Sequence, residues 1–191
     1  MFIRSERLFL RPGWPEDWQE LLSRIADESV VRNLAKAPWP YTAEDARWFA
    51  SQPQDERLPH FFVTLPTSAA PAELIGCVGL GEIDGEVELG YWFARDHWGK
   101  GYATEAARAV LRLAKVLGHR HLVAGHFLDN PASGAVLRKA GFRPTGRVRE
   151  RYSLARGCKA QSVEHRIELG RPSDCDGGGN DADLASAMRA A

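Results

Sequence analysis

The chain has 191 residues, enough for one domain that buries its own core without help from disulfides or metals. Lysine plus arginine and aspartate plus glutamate each total 25, so the formal net charge is zero and no global attraction to nucleic acid or an anionic membrane is expected. The three cysteines, Cys77, Cys158 and Cys175, are odd in number and scattered, which suggests neither a disulfide framework nor a zinc site.

Arg4, Glu6 and Arg7 interrupt any apolar stretch near the start, so no secretory signal is expected. No window approaches the roughly 20 apolar residues that span a bilayer. The expected compartment is the cytoplasm.

Leu8 to Arg11 alternates like a short strand ending at Pro12. Helical segments follow at Pro15–Ile25, Asp27–Leu34 and Thr42–Ser51, the last with Thr42 as N-cap and Glu44 and Asp45 in its first turn. Between them, Ala37-Pro38-Trp39-Pro40-Tyr41 is a stiff aromatic loop, suited either to walling a substrate site or to packing in the core. His60–Leu65 and Leu74–Leu80 read as strands, with Cys77 as a core residue. Asp84-Gly85 is a hairpin signal before a strand at Val87–Phe93.

The run Trp98-Gly99-Lys100-Gly101-Tyr102-Ala103-Thr104-Glu105-Ala106 then joins that strand to a helix at Ala103–Leu117. Glycines in such a turn let an anion approach the backbone, and the first N–H groups of the helix have no partner within it. A pyrophosphate fits this arrangement, and a plain tight turn is the alternative. The P-loop pattern and an early dinucleotide fingerprint are both missing. After a stop at Gly118, Leu122–Leu128 is a strand, Asn130-Pro131 opens a helix running to Ala140, and strands follow around Arg143–Leu154 and Ser162–Leu169. The order predicts a mixed α/β single domain, antiparallel at first with one strand-helix-strand crossover in the middle. Residues 172–191 read as a flexible tail, with a possible short helix at Ala182–Ala191.

Five pieces in this order resemble the GNAT superfamily of N-acetyltransferases, in its branch similar to the ribosomal-protein-alanine N-acetyltransferases of RimJ/RimL type. They are Ile75-Gly76, Glu88-Leu89-Gly90-Tyr91-Trp92, Trp98 to Ala106, Asn130-Pro131-Ala132-Ser133 and Lys139-Ala140-Gly141-Phe142. The resemblance runs from Arg4 to Arg171 and implies a GNAT domain over residues 1–171, with a mixed, mostly antiparallel, splayed sheet flanked by helices. It implies acetyl-CoA as co-substrate, no metal, and a cradle for the pyrophosphate at Trp98, Gly99, Lys100, Gly101, Tyr102, Ala103 and Thr104, with Trp98 standing where many members carry Gln or Arg. A bulged strand around Leu89–Phe93 should diverge from Leu122–Leu128, so that the pantetheine arm lies along Tyr91, Trp92 and Phe93. Amides spared by the bulge would polarise the thioester carbonyl.

The implied reaction is direct attack by an amine in a ternary complex. From reference pKa values a lysine is neutral roughly once in 2,500 at pH 7 and an α-amine roughly once in 5 to 10, so an α-amine asks far less of a general base. Glu88, before the Gly-Tyr-Trp strand, is the first candidate for that base, directly or through a water, with Glu82, Asp84 and Glu86 in the same hairpin and His126 as alternatives. A solvated or structural role is the competing explanation for each. Many members protonate the departing sulfur with a tyrosine seven residues after the position of Asn130; Leu137 stands there in this chain, and Ser133 is the replacement the branch pattern suggests. Asn130 and Ser133 are expected to contact the coenzyme, although both also suit a helix cap. Lys100, Arg138 and Lys139 are candidates for coenzyme phosphates or for a solvated basic face.

The acceptor expected first is a protein N-terminal α-amine. A small-molecule amine (amino sugar, polyamine or antibiotic) and a non-catalytic acyl-CoA sensor are the other possibilities. Nucleic acid and membrane are not expected as partners, and monomer and homodimer stay open. Acceptor loops are expected at Ala37–Tyr41, Arg57–His60 and Arg149–Lys159.

Overall fold

A computed structural model of the chain describes residues 1–67 and 72–170. The expected tail at 172–191 and its short helix lie outside them. The chain opens with β1 (Ile3–Arg4) and β2 (Phe9–Arg11), followed by a 3-10 turn at Pro15–Asp17 and helices α1 (Trp18–Ile25), α2 (Glu28–Val31) and α3 (Ala43–Ala50). Then come β3 (His60–Leu65), β4 (Glu73–Ile83), β5 (Glu86–Phe93), α4 (Tyr102–Val116), β6 (His121–Phe127), α5 (Pro131–Ala140), β7 (Arg143–Ser153) and β8 (Cys158–Glu168). The helix expected from Asp27 to Leu34 keeps one turn, α2, because Asn33 and Leu34 close reverse turns onto Val30 and Val31 instead of extending it.

The eight strands form one sheet in the order β1-β2-β3-β4-β5-β6-β8-β7. Every neighbouring pair is antiparallel except β5 and β6, which α4 connects as the expected crossover. Local chemistry sets the turns. Asp84 and Gly85 have φ of 51° and 78°, the left-handed pair that a two-residue hairpin needs, and Ile83 pairs with Glu86 directly across it. Thr42 caps α3 reciprocally with Asp45, and Asn130 caps α5 by accepting the Ser133 N–H at 3.2 Å.

Alternation of side chains across the sheet builds two cores. On one face Phe61, Val63, Val78, Leu89 and Leu122 pack against Ala106, Val110 and Leu137 of α4 and α5. On the other, Phe62, Leu74, Cys77 and Trp92 meet Leu21, Ile25, Val31, Ala46 and Ala50 of α1 to α3. Cys77 is a core residue, its thiol pushed up to about 12 by burial.

The bulge expected in β5 lies one strand away. β5 pairs with β4 in unbroken register from Glu86 to Phe93, whereas β3 and β4 slip by one between Val63 and Thr64, leaving Ile75 as the extra residue of β4. Ile75 and Gly76 then both lie on the α4 side, and a Cβ on Gly76 would collide with the Trp92 carbonyl oxygen. Replacing Gly76 with Ala is therefore expected to cost about 2–3 kcal/mol of stability, read by chemical denaturation. An unchanged midpoint would show that β4 can shift away from β5.

Candidate active site

β5 and β6 pair at a single position, Glu88 with Val123, and separate beyond it. The unpaired stretch of β5 leaves alternate N–H and C=O groups facing the gap, and backbone groups so exposed need a partner. Around the gap lies a cleft of about 1420 Å³ that runs from the start of α4, past the start of α5, to the loop before α3. Tyr91, Trp92, Phe93, Trp98, Gly99, Gly101, Tyr102, Ala103, Thr104, Asn130 and Ser133 all line it, as do Glu88 and His126.

The cradle at its first end is held from behind. Gly99 and Gly101 have φ of 74° and 83°, and Gly101 caps α4 without any side-chain hydrogen bond, so the first N–H groups of a 15-residue helix stay free for an anion. A Cβ on Gly99 would meet nothing within 4 Å, so this glycine is required by its backbone angle and not by crowding. The Trp98 indole donates to the Phe93 carbonyl at 2.7 Å, pinning the turn to the end of β5. Arg7 donates to the Lys100 carbonyl at 3.1 Å and to Glu105 Oε2 at 2.8 Å, and stacks over Tyr102. Burial works to raise the Glu105 carboxyl, but the Arg7 amide, the Ser5 hydroxyl and the Arg7 guanidinium overcome it and hold the pKa below the ordinary carboxylate range. The one carboxylate of the first helical turn is thereby matched by a guanidinium. Lys100 is the exception among the cradle candidates: it is exposed, is not part of the cleft wall and contributes its carbonyl to Arg7. Arg138 is likewise off the wall, while Lys139 lines it.

At the centre, Tyr91 OH lies 2.7 Å from Ser133 Oγ and 3.1 Å from the Ser133 carbonyl. Burial pushes the Tyr91 phenol up to about 12, with the Ser133 hydrogen bond opposing it, so the ring keeps its proton at neutral pH. The sequence offers no sign of this pair, because Tyr91 and Ser133 are 42 positions apart on a strand and a helix.

Glu88 is gripped by both guanidinium nitrogens of Arg151 on β7, with Nη2 at 2.8 Å from Oε2. The pair reaches across Gly125, where a Cβ would stand 3.5 Å from the guanidinium and 3.7 Å from Oε1. Glu88 hydrogen bonding holds Arg151 above its ordinary value, so the guanidinium stays charged. Asp84 and Glu86 are taken by Arg149 and Arg166 outside this cleft, and Glu82 does not line it either. His126 donates from Nδ1 to the Phe127 carbonyl at 2.9 Å and presses its other edge against Gly134 of α5, which has no Cβ to obstruct it.

At the far end, Ala37, Pro38, Tyr41, His60, Arg151 and Leu154 line the cleft, so each expected acceptor loop contributes to it, while Arg57 is turned away with its carbonyl on His119. Arg156 closes this end: it donates to both Asp129 oxygens at 2.8 and 2.9 Å and to the Arg32 carbonyl at 2.7 Å, while Arg32 reaches the same carboxylate at 3.0 Å. The Arg156 hydrogen bonds are the main reason that the Asp129 carboxyl sits below its usual value. Among the described residues no cluster of His, Cys, Asp and Glu could hold a metal, and no helix is long and apolar enough to cross a membrane.

A splayed sheet with an anion cradle at its crossover helix defines an acyl-coenzyme transferase. The family model of the acetyltransferase (GNAT) domain matches residues 7–143; the chain belongs to that family and is an acetyl-CoA-dependent N-acetyltransferase. The uncharacterized N-acetyltransferase YnaD of Bacillus subtilis (strain 168) is 30% identical over 149 residues, 76% of this chain and 85% of its own length. The crystal structure of a GNAT-family acetyltransferase from Bacillus anthracis superposes with a TM-score of 0.74 at 26% identity, covering 88% of this chain and 99% of that one. Two more distant chains share the fold with coenzyme A bound. One is RimL, an α-N-protein acetyltransferase of ribosomal L7/L12, at TM-score 0.70 and 17% identity over 88% of this chain and 98% of that one. The other is the spermidine N-acetyltransferase of Vibrio cholerae, at 0.69 and 20% over 85% and 96%.

Replacing Arg7 with Ala removes the brace behind the cradle and is expected to weaken coenzyme A binding about five- to tenfold by calorimetry. An unchanged Kd would mean that Trp98 and the two glycines hold the turn alone.

Proposed function

We propose that this enzyme acetylates an α-amine, such as the free N-terminus of a polypeptide, by direct attack within a ternary complex. One observation carries the reading: every carboxylate that lines the cleft among the described residues is already engaged within the chain. Asp45 accepts from the Thr42 amide and hydroxyl, Glu88 from Arg151, and Asp129 from Arg156 and Arg32. Such a site is poor at stripping a proton from a lysine-type ammonium, and it leaves no spare carboxylate to hold the second cation of a polyamine. An α-amine, already neutral roughly once in 5 to 10 at pH 7, needs the least help. RimL and the Vibrio cholerae spermidine enzyme put both acceptor classes on this fold, so the choice rests on the side chains of this cleft.

Bound acetyl-CoA supplies the thioester carbon that the amine attacks and the thiolate that leaves. The residues of the chain do the rest. The free amides of the α4 turn at Gly99–Thr104 receive the pyrophosphate. N–H groups on the unpaired edge of β5 face the gap and can stabilise charge on the carbonyl oxygen. Glu88, held by Arg151, has lone pairs left to receive a hydrogen bond from the amine, directly or through one water, as nitrogen becomes cationic. A strongly basic group is not required at that stage, because the attacking nitrogen loses basicity as it bonds to carbon. Tyr91 stays protonated and holds Ser133 at the gap through its contacts with the Ser133 carbonyl and Oγ; when the Tyr91 hydrogen turns from the carbonyl to Oγ, the Ser133 hydrogen is released to point toward the departing sulfur.

Two outcomes follow from this assignment. Ser133→Ala and Tyr91→Phe should each lower kcat about 10- to 100-fold with coenzyme affinity kept within about threefold, and the double variant should be little worse than either single one. Parallel loss of binding would instead mark the pair as structural. With an α-amine acceptor, kcat/KM should rise through about pH 8 and then level. Since the folded Tyr91 titrates at about 12 against an ordinary 10.0, its proton, and the stability linked to it, is kept below pH 10 and lost as pH rises toward 12. A descending limb near pH 9 would rule Tyr91 out as the donor.

A further inference from the structure

The six tryptophans of the chain are not used alike. Trp14 and Trp18 lie under the guanidinium groups of Arg11 and Arg47, Trp92 is buried in the second core, and Trp98 pins the cradle. Trp39 is partly exposed but does not line the cleft. Trp48 and Trp98 both line the cleft and are exposed, at 65% and 45%, but only the Trp98 indole is tied down, by its bond to Phe93. Among the described residues no aromatic ring or cation stacks on Trp48 and its indole N–H has no hydrogen-bond partner, while its backbone carbonyl, within α3, also accepts from the Gln52 side chain.

The same part of the cleft lining holds the polar Asp45, Gln52 and His60, with Asp45 already bonded to Thr42. Pro38, Tyr41, Phe49 and Pro53 share this wall, and Phe49 is fixed by stacking on Phe62 at 6.0 Å. The wall belongs to α3 and the loop before it, which pack on the sheet face opposite to α4 and α5. The coenzyme cradle is therefore on one side of the gap and the indole on the other, the side toward which Glu88 and Trp92 also project. An exposed indole at the edge of an apolar pocket is a strong anchor for a ring or branched side chain, since its flat face offers much contact area at little cost in side-chain freedom. No carboxylate here is free to meet a cation, so a side chain seated at this place relies on the indole face and on the apolar Pro38, Tyr41, Phe49 and Pro53.

Resting on the α-amine reading above, we infer that Trp48 is a specificity-determining residue that seats an aromatic or large apolar side chain on the residue whose amine is acetylated. The test compares two C-terminally amidated tetrapeptides, Phe-Ala-Ala-Ala and Ala-Ala-Ala-Ala, with spermidine, by thiol release at saturating acetyl-CoA. The phenylalanine peptide should exceed the alanine peptide about tenfold in kcat/KM, mainly through KM. Trp48→Ala should erase that ratio while leaving the alanine peptide and coenzyme A affinity unchanged, and Trp48→Phe should preserve most of it. Equal kcat/KM for the two peptides in the native enzyme, or a ratio that survives Trp48→Ala, overturns the inference. Spermidine outrunning both peptides counts against the α-amine reading instead, and the peptide ratio still decides the role of Trp48.

Discussion

The single β5–β6 pair at Glu88 and Val123 is the constraint on which the rest of the structure depends. A parallel ladder continued past it would bring the strands within about 5 Å and close the gap completely. Separation starts where α5 begins to be needed: its capped N-terminus at Asn130 brings Ser133 to within hydrogen-bond distance of Tyr91. Beside it, Glu88 reaches past Gly125 to Arg151, with β6 and β8 lying between their strands in the sheet. The Tyr91–Ser133 pair and the Glu88–Arg151 pair therefore both sit at this one point of the sheet, and neither is carried by a single element.

Charge is distributed with the same economy. Arginines from the ends of the chain neutralise carboxylates from its middle: Arg7 on Glu105 behind the cradle, Arg151 on Glu88 at the gap, Arg156 and Arg32 on Asp129 at the far end. The chain has no net charge, and at this site every carboxylate of the cleft is engaged within the chain. The cleft consequently presents amides, hydroxyls, apolar surface and the cationic Lys36 and Lys139, with no carboxylate to spare, which is the observation behind both the acceptor class and the seat on Trp48.

Most elements could be read along the chain because their signals are local. Apolar alternation marked His60–Leu65, Asp84-Gly85 marked the hairpin, and Asn130-Pro131 marked the start of α5. The glycine turn at Trp98–Gly101 and the helix after it were readable for the same reason, since they are contiguous. What could not be read depends on partners far off in sequence. The bulge belongs to β4 because of its register with β3, not because of any residue near Leu89. Glu88 read as a free carboxylate only because Arg151, 63 positions later, is invisible to a local pattern. Trp48 falls within the Thr42–Ser51 helical segment, whose local pattern carries no mark of the cleft it lines.

The unpaired edge of β5 also has a thermodynamic side. Hydrogen-bonding groups facing the gap are the groups a missing strand would have satisfied. A ligand that pairs with this edge completes the sheet, so occupancy and folding are linked equilibria in this protein. At a hundredfold excess over its Kd, such a ligand adds about 2.7 kcal/mol to the stability of the native state. Coenzyme binding to this edge would therefore be readable as a rise in the unfolding midpoint with coenzyme concentration.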